Sequence, residues 1–345
     1  MTKRTRTMNN IIFKQTSSKY AKLAYPTKNS SFGGNGCGCC ACVHVAIEQP
    51  SKRDWTPATL RSWMVKRGFA EAGHGTTWSG IKATLEHIGH KRVVWIQRDD
   101  PMSKAWKELD KGDRIGVLLV DNSRTPDGTY WTASGHYVAF TAYKVKDGKH
   151  WFYIKDSGDR NHSGWFCYEK SIKGALPQMW IVEKTNATKL ADRAWKFAWR
   201  WSSSIRKYAP YPKGKPKPIY ARALDRVFGK VRHWHPSARV GASCDVYGAT
   251  CIRDAGIDKK APRGLGRSYF DKSDKFKRVK VTAKTIQDGD IISINWKNGN
   301  PHWAIAHSGL VLEASLNGWW PKITHTLKSR LSKAGKQSVV VYRAK

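Results

Sequence analysis

The chain has 345 residues, 40% of them hydrophobic, and its 62 Lys and Arg against 26 Asp and Glu give a formal net charge of +36 at pH 7. That length and apolar content suit about two globular domains with real cores and exclude a low-complexity chain. The longest apolar runs, such as Ile115 to Val120, are too short to cross a bilayer, and charge spread over the whole chain points to an anionic partner: nucleic acid, an anionic membrane face, or a wall polymer such as teichoic acid.

Residues 1–8 read as a flexible basic start, and the opening MTKRTRTMNNIIF lacks the apolar core of a signal peptide. Synthesis and retention in the cytoplasm are expected, with export needing another protein. Seven cysteines, an odd number without framework spacing, argue for reduced thiols. Four of them, at 37, 39, 40 and 42, fall in Gly33-Gly34-Asn35-Gly36-Cys37-Gly38-Cys39-Cys40-Ala41-Cys42. Glycines before a thiol and small apolar residues after it predict a tight loop feeding Cys37 into the first turn of a buried helix. The helix dipole favours thiolate there, which makes Cys37 the candidate nucleophile. Cys40 and Cys42 read as core packing. A zinc cage is disfavoured because no second cysteine cluster follows.

This helix is predicted to run to about Glu48, before Gln49-Pro50. A second starts at Thr56-Pro57 and stops near Gly68, and a third spans 77–89 with Trp78, Ile81, Leu85 and Ile88 on one face. Strands then take over: 92–96, 115–120 after the turn Lys111-Gly112-Asp113, 137–144, 150–156 and 179–182, with a brief helix at 102–109. His44, His87 and His90 read as helix-surface or core residues.

Register brings chemistry into the 137–156 hairpin. With a three-residue loop at 146–148, Val145 lies opposite Lys149 and His136 opposite Gly158, so Asp156 becomes a same-face diagonal neighbour of His136, roughly 7–8 Å away between backbones. The carboxylate can then hold the imidazole in one tautomer while its other nitrogen faces a thiol. Gln15, upstream of Cys37, reads alone as a surface amide, although a Gln so placed can donate to an oxyanion. In the order Gln15, Gly36-Cys37-Gly38, Gly135-His136, Asp156, the stretch of about 10–184 resembles the papain-fold cysteine peptidases of the double-glycine, bacteriocin-processing type. That family usually has Pro-Thr or Pro-Ser after Cys-Gly, where this chain has Cys39-Cys40. The resemblance implies Cys37, His136 and Asp156 as catalytic residues and Gln15 as the oxyanion donor.

In the second half, 186–207 predicts a basic amphipathic helix with Leu190, Ala194, Ala198, Trp201 and Ile205 on one face. It can lie on a membrane or wall polymer, or dock on a core as the first helix of a second domain, and docking is the favoured reading. An extended loop follows at 211–218. Gly241-Ala242-Ser243 then leads Cys244 into a helix carrying Tyr247, Gly248 and Cys251. The turn Asp288-Gly289-Asp290 opens a strand at 291–295, and a hairpin of 302–306 and 310–315 turns at Ser308-Gly309. A two-residue loop sets His307 opposite Leu310 and His302 opposite Ser315, which makes Glu313 the diagonal neighbour of His302. Cys244, His302 and Glu313 form a second triad candidate, with Ser315 and Asn317 as alternatives for the third member. His307 and His325 read as structural or exposed. Over about 187–345 this half is similar to the NlpC-type cell-wall endopeptidases, whose nucleophile commonly sits in Asp-Cys-Ser-Gly; here the residues are Ser243-Cys244-Asp245-Val246.

The two resemblances imply an α+β protein of two papain-like cysteine peptidase domains, 9–184 and 185–345, acting as a peptidoglycan hydrolase of the phage endolysin kind. Bacterial peptidoglycan is the implied partner, no metal or cofactor is required, and nucleic acid is not the expected target. The positive charge would hold the enzyme on teichoic-acid-rich wall, reached through a phage-encoded membrane hole. Two other readings stay open: a non-catalytic basic binder of wall polymer or nucleic acid, and a maturation peptidase acting on protein.

Overall fold

A computed structural model describes residues 11–48, 55–158, 162–198, 200–202, 207–209, 218–228, 244–279, 285–295, 301–307, 310–315, 319–334 and 338–345. The predictions for 1–8, 211–217, the loop 241–243, the turn 308–309 and Asn317 lie outside the described residues. The chain is α+β with antiparallel sheets and forms two compact units, Met1–Lys184 and Thr185–Lys345. Among the described residues no helix is long and apolar enough to cross a membrane.

In the first unit the Ser31 hydroxyl accepts the Gly34 N–H and starts a single turn, α1 (Phe32–Asn35). Gly36 then caps α2 (Cys37–Ile47), all eleven residues of which are buried. Gly38 lies so close to its neighbour that a Cβ there would come within 2.5 Å of the Thr76 hydroxyl. Next come α3 (Pro57–Lys66), started by a Thr56/Thr59 capping box and Pro57, the short ribbon β1 (Ala70–Glu71) and β2 (Gly75–Thr76), and α4 (Trp78–His87), capped by Thr77. The remaining elements are β3 (Val93–Gln97), α5 (Met102–Leu109), β4 (Arg114–Asp121), β5 (Gly135–Lys146), β6 (Lys149–Lys155), β7 (Gly164–Cys167) and β8 (Gln178–Glu183). They form one antiparallel sheet in the order β3-β8-β4-β5-β6-β7.

Alternation along β4 explains why that strand reads as an unbroken apolar run. Ile115, Val117 and Leu119 join the α2 side of the core, with Leu60, Met64 and Leu85, while Leu118 and Val120 join the opposite side, with Leu109, Phe140 and Phe152.

The β5–β6 hairpin corrects the predicted loop and keeps the predicted register at His136. The turn has two residues, Asp147-Gly148, both at positive φ, with Lys146 opposite Lys149 and Val145 opposite His150. A bulge between Phe140 and Ala142 then shifts the register by one, so that Phe140 pairs with Ile154 and Ala139 with Lys155. Continued three residues further, that pairing sets His136 against Gly158.

The second unit begins with α6 (Asn186–Phe197), capped by Thr185. The predicted helix over 186–207 is too long: at Ala198 the backbone turns extended, and the chain continues as β9 (Arg200–Ser202), paired with β10 (Lys207–Ala209). Trp201 therefore lies in a strand, and Ile205 lies outside the described residues. The apolar face of α6 docks on a core, with Leu190, Ala194, Phe197 and Ala198 packed among Tyr220, Tyr247 and Trp303. There follow α7 (Pro218–Phe228), α8 (Cys244–Asp254), α9 (Arg267–Lys272), β11 (Phe276–Val279), β12 (Ile291–Asn295), β13 (Pro301–His307), β14 (Leu310–Ser315), β15 (Trp319–Thr326), α10 (Leu327–Ala334) and β16 (Ser338–Ala344).

Their sheet runs β11-β16-β12-β13-β14-β15, all antiparallel. This repeats the first sheet strand for strand. In each unit a helix opening on cysteine precedes the sheet, and the last strand returns between the first and second.

Candidate active sites

Helix α2 presents Cys37 at its first position, and β5 presents His136 at its second. The imidazole stands near enough to the thiol for each to shift the other's pKa. On its far side the ring donates Nε2–H to Asp156 Oδ1 at 2.7 Å, because a carboxylate can only accept. That leaves Nδ1 as the nitrogen for sulfur. Asp156 has no exposed surface, and its Oδ1 also accepts the Gly158 N–H at 2.7 Å. A Cβ on Gly158 would stand 3.0 Å from His136 Cε1 and 3.2 Å from Nε2, so a bare backbone is what lets the ring sit there.

Electrostatics follow from this geometry. Burial opposes ionisation of Cys37, but the hydrogen bond and charge of His136, with the N–H groups of Tyr137 and Gly38, outweigh it and lower the thiol's pKa. For His136, burial is likewise overcome by Asp156 and Cys37, and its pKa rises to about 10. Asp156 is driven well below the usual carboxylate range: burial pushes it up, but hydrogen bonds from His136 and His162 win. The arrangement favours a thiolate–imidazolium pair, a nucleophile beside a proton donor. Cys39, Cys40 and Cys42 share the helix, and burial raises all three.

Gln15 is not the surface amide that it resembles when read alone. It is buried, its Nε2 donates to the Gly33 carbonyl at 2.9 Å, and its Oε1 accepts from the Ser157 hydroxyl at 2.9 Å. It thus joins α1, just before Cys37, to the residue after Asp156, and an amide nitrogen with two hydrogens keeps one for a further acceptor. His44, His87 and His90 have structural partners. His44 is fully buried and accepts the Phe13 N–H at 2.8 Å, with its pKa lowered to about 3 by burial and the Lys155 charge. His87 stacks on Trp63 at 3.9 Å, and His90 bonds the Glu183 carbonyl at 3.1 Å.

The second unit brings Cys244, His302 and Glu313 together in the same way. Cys244 is the first residue of α8, and its thiol acts on the His302 ring near the start of β13. Ala304 pairs with Glu313 and His307 with Leu310, which is the predicted register. His302 donates Nε2–H to Glu313 Oε2 at 2.6 Å. Burial lowers the His302 pKa, but the bonds to Cys244 and Glu313 prevail and lift it to about 9. Glu313 is thus the candidate that meets His302 among the described side chains. Asp245 instead accepts the N–H of Val246 at 2.9 Å, and His307 is buried with Nδ1 3.1 Å from Asp288 Oδ2.

Two neighbours, His162 and Arg330, and the steric role of Gly158 escaped the sequence reading. His162 sets Nδ1 3.4 Å from Asp156 Oδ2, Gly158 makes room for the ring, and Arg330 bonds Glu313 Oε2 at 2.8 Å. His162 and Gly158 follow the end of β6, where no periodicity carries information. Arg330, on α10, reaches its partner across 17 residues.

Beside Cys37 opens a cleft of about 690 Å³, lined by residues of α1, the β1–β2 ribbon, the start of α4, and β3, β4 and β5. No protein-family model matches the chain, and no curated protein matches it.

Proposed function

We propose that the protein is a peptidoglycan hydrolase with two papain-like cysteine peptidase domains, of the kind phage endolysins use. The observation that carries this reading is the Cys37–His136–Asp156 relay, repeated by Cys244, His302 and Glu313 on the same sheet topology. In the first unit the Cys37 sulfur attacks a peptide carbonyl carbon, and the carbonyl electrons move onto oxygen. N–H groups at the start of α2, and the remaining N–H of Gln15, stabilise that oxyanion. His136 gives its proton to the leaving nitrogen, the C–N bond breaks, and a thioester remains. His136 then takes a proton from water, the resulting hydroxide displaces sulfur, and acid and thiolate are released. Asp156 holds the ring in one orientation throughout. Cys244, His302 and Glu313 perform the same steps in the second unit. The net charge of +36 favours teichoic-acid-rich wall as the place of action.

Digestion of purified peptidoglycan, with fragments identified by mass, tests this. The wild-type chain is expected to release two sets of new amino termini. Cys37→Ala should remove one set and Cys244→Ala the other, because each relay is a separate unit. Release of amino groups from protein substrates, and none from wall, would favour the maturation-peptidase reading instead.

A further inference from the structure

The cleft over Cys37 differs in charge from the rest of the protein. Lys and Arg make up 62 of 345 residues, yet among the described residues neither lines it, and the one carboxylate that does is Glu71, on β1, accompanied by the imidazole of His74. The Glu71 carboxylate forms no ion pair with a described residue. Across the α4 end stands Trp78, 51% exposed although its ring is large and apolar. An exposed indole and a carboxylate lining one cleft suit a cation with an aliphatic stem, since the ring face attracts positive charge and the carboxylate accepts its hydrogen bonds.

A second feature is the bare backbone of the cleft wall. Gly34 and Gly135 both line it, and neither takes positive φ. A Cβ built on either meets nothing closer than 3.6 and 3.7 Å respectively. Neither packing nor conformation therefore requires glycine at these positions. What glycine provides there is close approach for another chain next to the nucleophile.

We propose that this cleft takes an extended peptide bearing a primary ammonium group, with Glu71 as the selecting carboxylate and Trp78 as the face on which the cation lies. The proposal rests on the reading of Cys37 as a reactive thiol that opens peptide bonds. It adds the substrate class: an amine-bearing peptide rather than a neutral or acidic one.

Thiol labelling tests it without requiring turnover. The full chain is treated at pH 8 with methanethiosulfonates carrying a trimethylammonium, a methyl or a sulfonate group, and modification of Cys37 and Cys244 is followed separately by peptide mass. Relative to the neutral reagent, the cationic-to-anionic rate ratio at Cys37 is expected to fall about fivefold in Glu71→Gln and further in Glu71→Lys, with the ratio at Cys244 unchanged. Trp78→Leu should lower the cationic rate about threefold, and molar salt should shrink these differences. Three tripeptide amides then serve as competitors against the neutral reagent: acetyl-Ala-Lys-Ala, acetyl-Ala-norleucine-Ala, and Ala-norleucine-Ala with a free amino end. Stronger protection by the first identifies a side-chain amine, and stronger protection by the third a terminal one; Glu71→Gln should abolish either advantage. A ratio at Cys37 that a folded Glu71→Gln leaves unchanged, or equal protection by all three peptides, overturns the proposal while leaving the hydrolase reading intact. Failure of Cys37 to label with any reagent would remove both.

Discussion

At Cys37 burial and ionisation pull in opposite directions, and the imidazole decides the outcome. Cys39, Cys40 and Cys42 on the same helix are fully buried, where Cys37 keeps 8% of its surface, and burial controls them and raises their thiols. The difference lies in what each sulfur meets. Asp156→Asn keeps the shape of the third member and removes its charge. Labelling of Cys37 at pH 6.5 should slow at least about tenfold in this variant, with little change at pH 9.5, where an ordinary thiol is ionised. Stability should also follow proton counts. His44 and His90 have folded pKa values of about 3 and 4, below the ordinary 6.5. The unfolded chain then binds more protons in acid, so stability falls as pH drops below 6.5, by about 3 kcal/mol for His44 at pH 4. Between pH 6.5 and 9.0 the unfolded pair holds one proton, on sulfur, and the folded pair keeps its proton on His136 while the Cys37 thiol is lowered from its ordinary value. Above that window the unfolded thiol loses its proton while His136 keeps its own up to about 10, so stability falls again. Thermal melting should show a Tm that falls as pH drops from 6.5 to 4; a Tm that climbs over that range would contradict the assignment.

Among the elements, α2 is held at both ends. Its start is fixed by the Cys37–His136 contact, and Glu48, capping its end, bonds Lys155 on β6 through a buried ion pair of 2.8 Å. The strand that precedes Asp156 is thereby tied to the helix that carries the nucleophile. Lys155→Met removes one charge of that pair and should cost about 3–5 kcal/mol, whereas adding Glu48→Gln should recover much of the loss, as chemical denaturation can measure. The hairpins were legible in the sequence because one buried face specifies register strongly. The pairing of His136 with Asp156 emerged even though the loop length was misread, because the bulge at Thr141 and the shorter turn offset one another. The end of α6 was not legible. Ala198, Trp199 and Trp201 continue the apolar pattern past it with neither Gly nor Pro to mark a stop, and a few such residues fit a strand as well as a helix. Gln15 was legible only through the resemblance, since its partners at Gly33 and Ser157 are set by tertiary structure.

Across the whole molecule, two units of unlike sequence repeat one topology, with cysteine, histidine and acid at corresponding places. The net charge acts on both, and binding to purified wall should weaken steeply as salt rises from tens to hundreds of millimolar; binding indifferent to salt would remove electrostatics as the anchor. Two thiols among seven, each engaged by an imidazole from a distant hairpin, are the core of the account. Site-resolved iodoacetamide labelling of all seven cysteines in the native chain at pH 6.5 tests this most directly. Cys37 and Cys244 are expected to react at least about tenfold faster than Cys39, Cys40, Cys42, Cys167 and Cys251, and to lose that advantage in His136→Ala and His302→Ala respectively. Uniformly slow labelling, or fast labelling that survives removal of the imidazoles, would contradict it.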